Sequence, residues 1–98
     1  MTRFLVVGTC TVCGTGSVGV RIPAEGGPAV GMCDECDAVW TDPGMTDGPH
    51  FPQAPGWDSP AGGGGLGGPM AHWATHEEAD RVGWSHAVIR EGTPLGHS

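Results

Sequence analysis

Two Cys-x-x-Cys pairs, Cys10 with Cys13 and Cys33 with Cys36, are separated by 19 residues in a chain that has no other cysteine. The spacing matches four-thiolate zinc sites, in which each short pair turns two sulfurs toward one ion and two facing turns close a tetrahedron. Amides after the first cysteine of a pair point back at the sulfurs and spread their negative charge. The residue after the second cysteine must turn the chain sharply away from the metal, often with positive φ. Gly14 meets that demand without steric cost, whereas Asp37, at the matching place of the second pair, meets it at some cost. A slightly strained second turn is therefore expected.

Other readings of the same residues are weaker. Gly14, Gly16 and Gly19 spell G-x-G-x-x-G, but the long helix and further βαβ units of a dinucleotide fold do not fit before Cys33. The glycines are better explained as turn residues after the first pair. Thioredoxin-like redox work needs a Cys-x-x-Cys at a helix N-terminus, and Cys13 is followed by Gly-Thr-Gly, a turn. Two structural disulfides would call for an export signal, and the apolar run Phe4 to Val7 is too short for a signal core or a membrane span. The expectation is a cytoplasmic protein whose thiols are ligands. Iron in the same thiolates would make a rubredoxin-like electron carrier; zinc is the default for a ribbon with an unconstrained interior.

The chain of 98 residues is one domain at most, and its 19 glycines and 9 prolines leave little material for a core. About 40 residues with so few apolar side chains need a staple, and zinc binding supplies about 10 to 16 kcal/mol in small zinc peptides. Composition divides the chain into three. Residues 1–42 hold all the cysteines. Residues 43–69 are a linker or loop, because 15 of these 27 residues are Gly or Pro. Residues 70–98 regain apolar periodicity and are expected to dock on the first segment.

Short β-prone runs at Phe4 to Val7, Val18 to Ile22, Ala29 to Met32 and Val39 to Thr41 read as a small antiparallel sheet, with PAEGGP at 23–28 as a turn. Thr75-x-x-Glu78 reads as a capping box, opening a helix over 76–82 that Gly83 ends. Two turns are marginal alone, so this helix must pack, through Ala79, Val82, Trp73 and Trp84. His86 to Arg90 reads as one more strand at the sheet edge. The expected fold class is thus small, metal-stabilised and mainly β: a zinc ribbon with a Gly/Pro-rich loop and a short C-terminal helix.

Residues 8–42 resemble zinc ribbons of the transcription factor IIB type, in their bacterial small-protein form. The likeness rests on CDECDAVWTD, where Cys33, Cys36, Val39, Trp40 and Asp42 occupy the family's usual places. Asp37 stands where glycine is common, and Thr11 where proline is frequent. The resemblance implies a three-stranded ribbon with one structural zinc.

Outside the cysteines little points to chemistry. His72 and His76 stand four apart, but with Thr75 as the N-cap His72 precedes the helix and no third ligand is evident. Glu77, Glu78 and Asp80 suit the positive end of the helix dipole. Trp40 is expected over the sheet, and Trp57, Trp73 and Trp84 either in a shared cluster that pins loop and helix to the ribbon, the preferred reading, or on an aromatic contact surface for a partner. Ser17, Ser59, Ser85 and Ser98 lack the context of a nucleophile, so no catalytic residue is expected. Acidic residues number 11 against 4 arginines and no lysine, giving a net charge of -7 that disfavours nucleic acid. The expected role is a protein-interaction module or accessory subunit with Cys10, Cys13, Cys33 and Cys36 as ligands of one structural Zn²⁺ and an unidentified protein partner. A transcription-related ribbon contacting polymerase or nucleic acid is the main alternative.

Overall fold

A computed structural model describes residues 4–53, 57–67 and 70–92. The elements run β1 (Phe4–Thr9), β2 (Ser17–Ile22), β3 (Val30–Cys33), β4 (Val39–Trp40), β5 (His72–Trp73), α1 (His76–Arg81), a 3-10 turn at Ser85–Ala87, and β6 (Arg90–Gly92). They form one antiparallel six-stranded sheet ordered β4-β3-β2-β1-β6, with β5 also against β2. The protein is small and mainly β, with one short α-helix. Among the described residues no helix is long and apolar enough to cross a membrane.

Strand β2 is the hub. One edge pairs with β3 from Val18 to Arg21. The other is shared: β1 takes Ser17 to Gly19, and β5 takes Arg21 and Ile22. Gly19 makes this sharing possible, since a Cβ there would lie 2.0 Å from the Phe4 ring and 3.1 Å from Trp73. The two rings meet above it with centroids 4.7 Å apart.

Alternation along the strands sends side chains to two faces. Phe4, Val6, Val30, Met32 and Val39 bury one face together with Trp73 and Leu66. Leu5, Val20, Ile22 and Ala29 bury the other against Ala74, Ala79 and Trp84. A third cluster, Cys10, Val18, Cys33, Ala38 and Trp40, closes the end of the sheet that carries the cysteines. The sheet exceeds the three strands implied by the zinc-ribbon resemblance, because residues 4–42 already supply four, β1 to β4, and the C-terminal segment adds β5 and β6.

The Gly-rich segment forms part of the core. Leu66 is fully buried. Around it the chain folds back on itself: Leu66 N–H donates to Trp57 O at 2.9 Å and Ser59 N–H to Gly64 O at 2.9 Å. The glycine run then lies backbone to backbone on the turn after β2, with Ala24 N–H donating to Gly65 O at 2.9 Å and Glu25 N–H to Gly63 O at 2.8 Å. A Cβ on Gly63 would stand 2.3 Å from Gly27 Cα, and Gly63 also has φ 92°, so no other residue fits. Arg21, buried on this face, donates from Nε to Leu66 O at 3.0 Å and stacks 4.7 Å over the Trp73 ring. Burial lowers the Arg21 pKa from its ordinary value.

In the C-terminal segment the capping box forms as expected. Glu78 N–H donates to Thr75 Oγ1 at 3.2 Å, and Thr75 N–H donates to the Glu78 carboxylate at 3.0 Å. Gly83 leaves the helix at φ 82°. Four expectations need correction. Helix α1 stops at Arg81 with Val82 as its C-cap, and Val82 is exposed; the packing residue is Ala79, against Trp84. Asp80 lies past the first turn, accepting a hydrogen bond from Ser85 Oγ at 3.3 Å. The segment read as a strand over 86–90 begins inside the 3-10 turn, and hydrogen bonding to β1 starts only at Ile89, whose N–H donates to Val6 O at 2.8 Å. The three tryptophans do not gather: Trp73 and Trp84 lie in different clusters on opposite faces, and Trp57 belongs to neither.

Candidate metal centre

Each cysteine pair is the turn of a β-hairpin. β1 runs through Cys10 and Cys13 into β2, and β3 runs through Cys33 and Cys36 into β4. Antiparallel pairing of Val18 with Cys33 and of Thr9 with Ser17 puts both turns at the same end of the sheet. The hairpins close alike, by Cys10 N–H donating to Gly16 O at 2.9 Å and Cys33 N–H to Ala38 O at 2.9 Å. They are also laced together. Ser17 N–H donates to Asp34 Oδ1 at 2.9 Å, Asp34 N–H donates to Ser17 O at 3.1 Å, and Thr15 Oγ1 donates to the Glu35 carboxylate at 3.3 Å.

Within each turn the backbone aims at sulfur. The Val12 and Cys13 amides lie 3.3 and 3.5 Å from Cys10 Sγ, and the Glu35 and Cys36 amides 3.4 Å from Cys33 Sγ. Gly16 N–H donates to Cys13 Sγ at 3.4 Å. Gly14 with φ 75° and Asp37 with φ 66° sit at corresponding places after the second cysteines, as the spacing predicts. Only Asp37 carries the left-handed penalty of an ordinary side chain.

All four sulfurs lie within 4.8 Å of one another, and among the described residues no other group of His, Cys, Asp or Glu side chains converges in this way. Cys10 Sγ stands 3.5 Å from Cys36 Sγ, and Cys13 Sγ 3.8 Å from Cys33 Sγ. A tetrahedron with metal–sulfur bonds of about 2.3 Å has edges of about 3.8 Å, so these separations suit one central ion. They are far beyond the about 2.05 Å of a disulfide, and all four cysteines are free.

Electrostatics point the same way. Burial pushes the Cys33 and Cys36 thiols up, because a thiolate there loses water. Cys13 is exposed, and the Thr15 and Gly16 amides hold it at about 6. A cation at the centre would supply the counter-charge the buried sulfurs lack. Trp40, 1% exposed, covers Cys10 and Cys33 from the core side.

Several residues here escaped sequence reasoning. Gly16 reads as a turn residue, yet a Cβ on it would stand 2.5 Å from Cys33 Sγ, so its bare backbone makes room for that sulfur. Buried Asp34 ties the two hairpins together. Met45, at φ 58°, packs on the cysteine cluster and places its Sδ over Gly8. The only signal for Met45 was an apolar residue inside a Gly/Pro-rich segment. His72 and His76 pair with carboxylates instead: His72 Nε2 lies 2.7 Å from Glu78, and His76 Nε2 lies 3.2 Å from Glu91.

Comparison with protein-family models, curated proteins and solved structures yields no match. Fold and site alone define the class: a small, mainly β protein whose clustered cysteines can hold a metal ion.

Proposed function

We propose that this chain is a structural-zinc protein, a ribbon of the transcription factor IIB type set into a larger sheet, which serves as a protein-interaction module or accessory subunit. The observation that carries the reading is the convergence of four sulfurs from two matching hairpin turns, each backed by backbone amides. Cys10, Cys13, Cys33 and Cys36 would hold one Zn²⁺. Four thiolates fill its coordination shell and leave no position for an activated water, which favours a structural over a hydrolytic role.

The charge distribution favours a protein partner over nucleic acid. A phosphate-binding face needs converging cations. Arg21 is buried under the Gly-rich loop, Arg81 pairs with Glu77 at 3.2 Å, and Arg90 donates to Ser17 Oγ at 2.8 Å.

Metal analysis of the full chain, purified under reducing conditions, tests the first half of the reading. One equivalent of zinc is expected, exchangeable for Co²⁺ with the spectrum of a tetrahedral thiolate site and lost on Cys33→Ser. Iron that cycles between two oxidation states would replace the proposal with electron transfer. Native pull-down tests the second half, and recovery of a stoichiometric protein complex is expected.

A further inference from the structure

Aromatic residues are scarce, two Phe and four Trp. Phe4, Trp40, Trp73 and Trp84 are buried. The other two, Phe51 and Trp57, line one groove with Cys36, Asp37, Pro52 and Gln53, directly beside the metal centre. Phe51 is 49% exposed, an unusual use of a large apolar ring in a chain with so little apolar material.

The groove is preformed. Phe51 follows His50, whose backbone exchanges hydrogen bonds with Val39 at 2.8 and 2.7 Å and so extends the sheet past β4. Trp57 is held through its carbonyl by Leu66 and through its amide by Gln53 O at 3.1 Å. Among the described residues three non-glycine residues have positive φ, and two of them, Asp37 at 66° and Trp57 at 53°, line this groove. A bulky side chain in that conformation is costly and persists where the surroundings impose it.

The lining selects positive charge. Phe51 and Trp57 supply aromatic rings of the kind that attract a cation, Asp37 lines the groove with a carboxylate, and Cys36 belongs to a four-cysteine centre that would carry a net charge of about -2 around a divalent ion. Among the described residues no cation lines the groove, and the chain as a whole carries -7. The same chemistry already operates inside the fold, where the Arg21 guanidinium sits over Trp73.

We propose that the groove formed by Phe51, Trp57, Asp37 and Cys36 receives an arginine side chain from a basic segment of a protein partner. This deepens the interaction role proposed above and rests on it. Stacking of a nucleobase on the same rings is disfavoured, because its phosphates would face the acidic wall.

The test is titration of the zinc-loaded full chain with a synthetic arginine–glycine peptide, followed by calorimetry and by NMR of the Trp57 indole and Phe51 ring. Saturable binding is expected, weakening as salt rises, with shifts confined to the groove and no binding by the citrulline form of the peptide. Phe51→Ala and Asp37→Asn should each weaken it about tenfold, the loss of one desolvated cation–π or charge contact. Asparagine tolerates the left-handed turn, so the second variant should keep its zinc. Equal binding by both variants, shifts elsewhere, or preferential uptake of a single-stranded oligonucleotide would overturn the inference. A chain that holds no zinc overturns the proposed function and this inference with it, whereas a zinc-loaded chain that ignores the peptide overturns this inference alone.

Discussion

Gly14 and Gly16 stand two residues apart in the first cysteine turn and are needed for different reasons. At Gly14 the requirement is torsional: φ is 75°, and an added Cβ would meet nothing within 4 Å. Gly14→Ala should therefore cost about 1–2 kcal/mol of stability, measurable by urea denaturation, with little change in metal stoichiometry. At Gly16 the requirement is space, because the Cβ would stand 2.5 Å from Cys33 Sγ. Gly16→Ala should instead loosen the metal, read as easier loss to a competing chelator. A chelator midpoint unchanged by Gly16→Ala would contradict this placement of the sulfur. The first requirement is visible in a sequence, where glycine follows a Cys-x-x-Cys. The second is not, because the partner lies 17 positions away on another hairpin.

Among the elements, the Gly-rich loop makes the sharpest prediction. A tether would tolerate Leu66→Ala, but a fully buried leucine in the core should cost about 2–5 kcal/mol when truncated. Thermal or chemical unfolding of this variant decides between the two. Composition reads this segment as a linker or loop but could not show that its glycines permit contact between two backbones, since that depends on Gly27, far away in sequence. Helix α1 was more legible, because a capping box joins neighbours. Its acid response follows from Glu78. Burial alone raises the Glu78 carboxyl, but the Thr75 amide and the His72 ring outweigh it and hold it below its ordinary value. A folded-state value below the unfolded one adds stability above about pH 4.3, and that stability is lost as pH falls through the folded-state value. Glu78→Gln should accordingly flatten the acid limb of a stability-versus-pH curve.

At the scale of the molecule, a radius of gyration of 11.5 Å, close to the about 12 Å of a folded domain the length of the described residues, shows that the Gly/Pro content has not prevented close packing. Residues 4–42 do not stand alone: loop 57–67 covers one face of their sheet, and α1 with Trp84 covers the other. Metal removal should therefore act first at the cysteine end. Chelation under reducing conditions is expected to abolish amide-exchange protection around Cys10 and Cys33 and to expose Trp40, while the Phe4–Trp73–Leu66 side loses protection later. Simultaneous loss everywhere would mean that the ion holds the entire sheet. The sequence by itself determined the four thiol positions, the left-handed turns after them, the early strands and the helix cap, because each depends on residues a few positions apart. The tertiary structure alone decided that a glycine run becomes one wall of the core, that Arg21 is buried beneath it, and that the two remaining aromatics line one groove beside the cysteines. Those outcomes depend on which distant surfaces come into contact, and local preference carries no information about that.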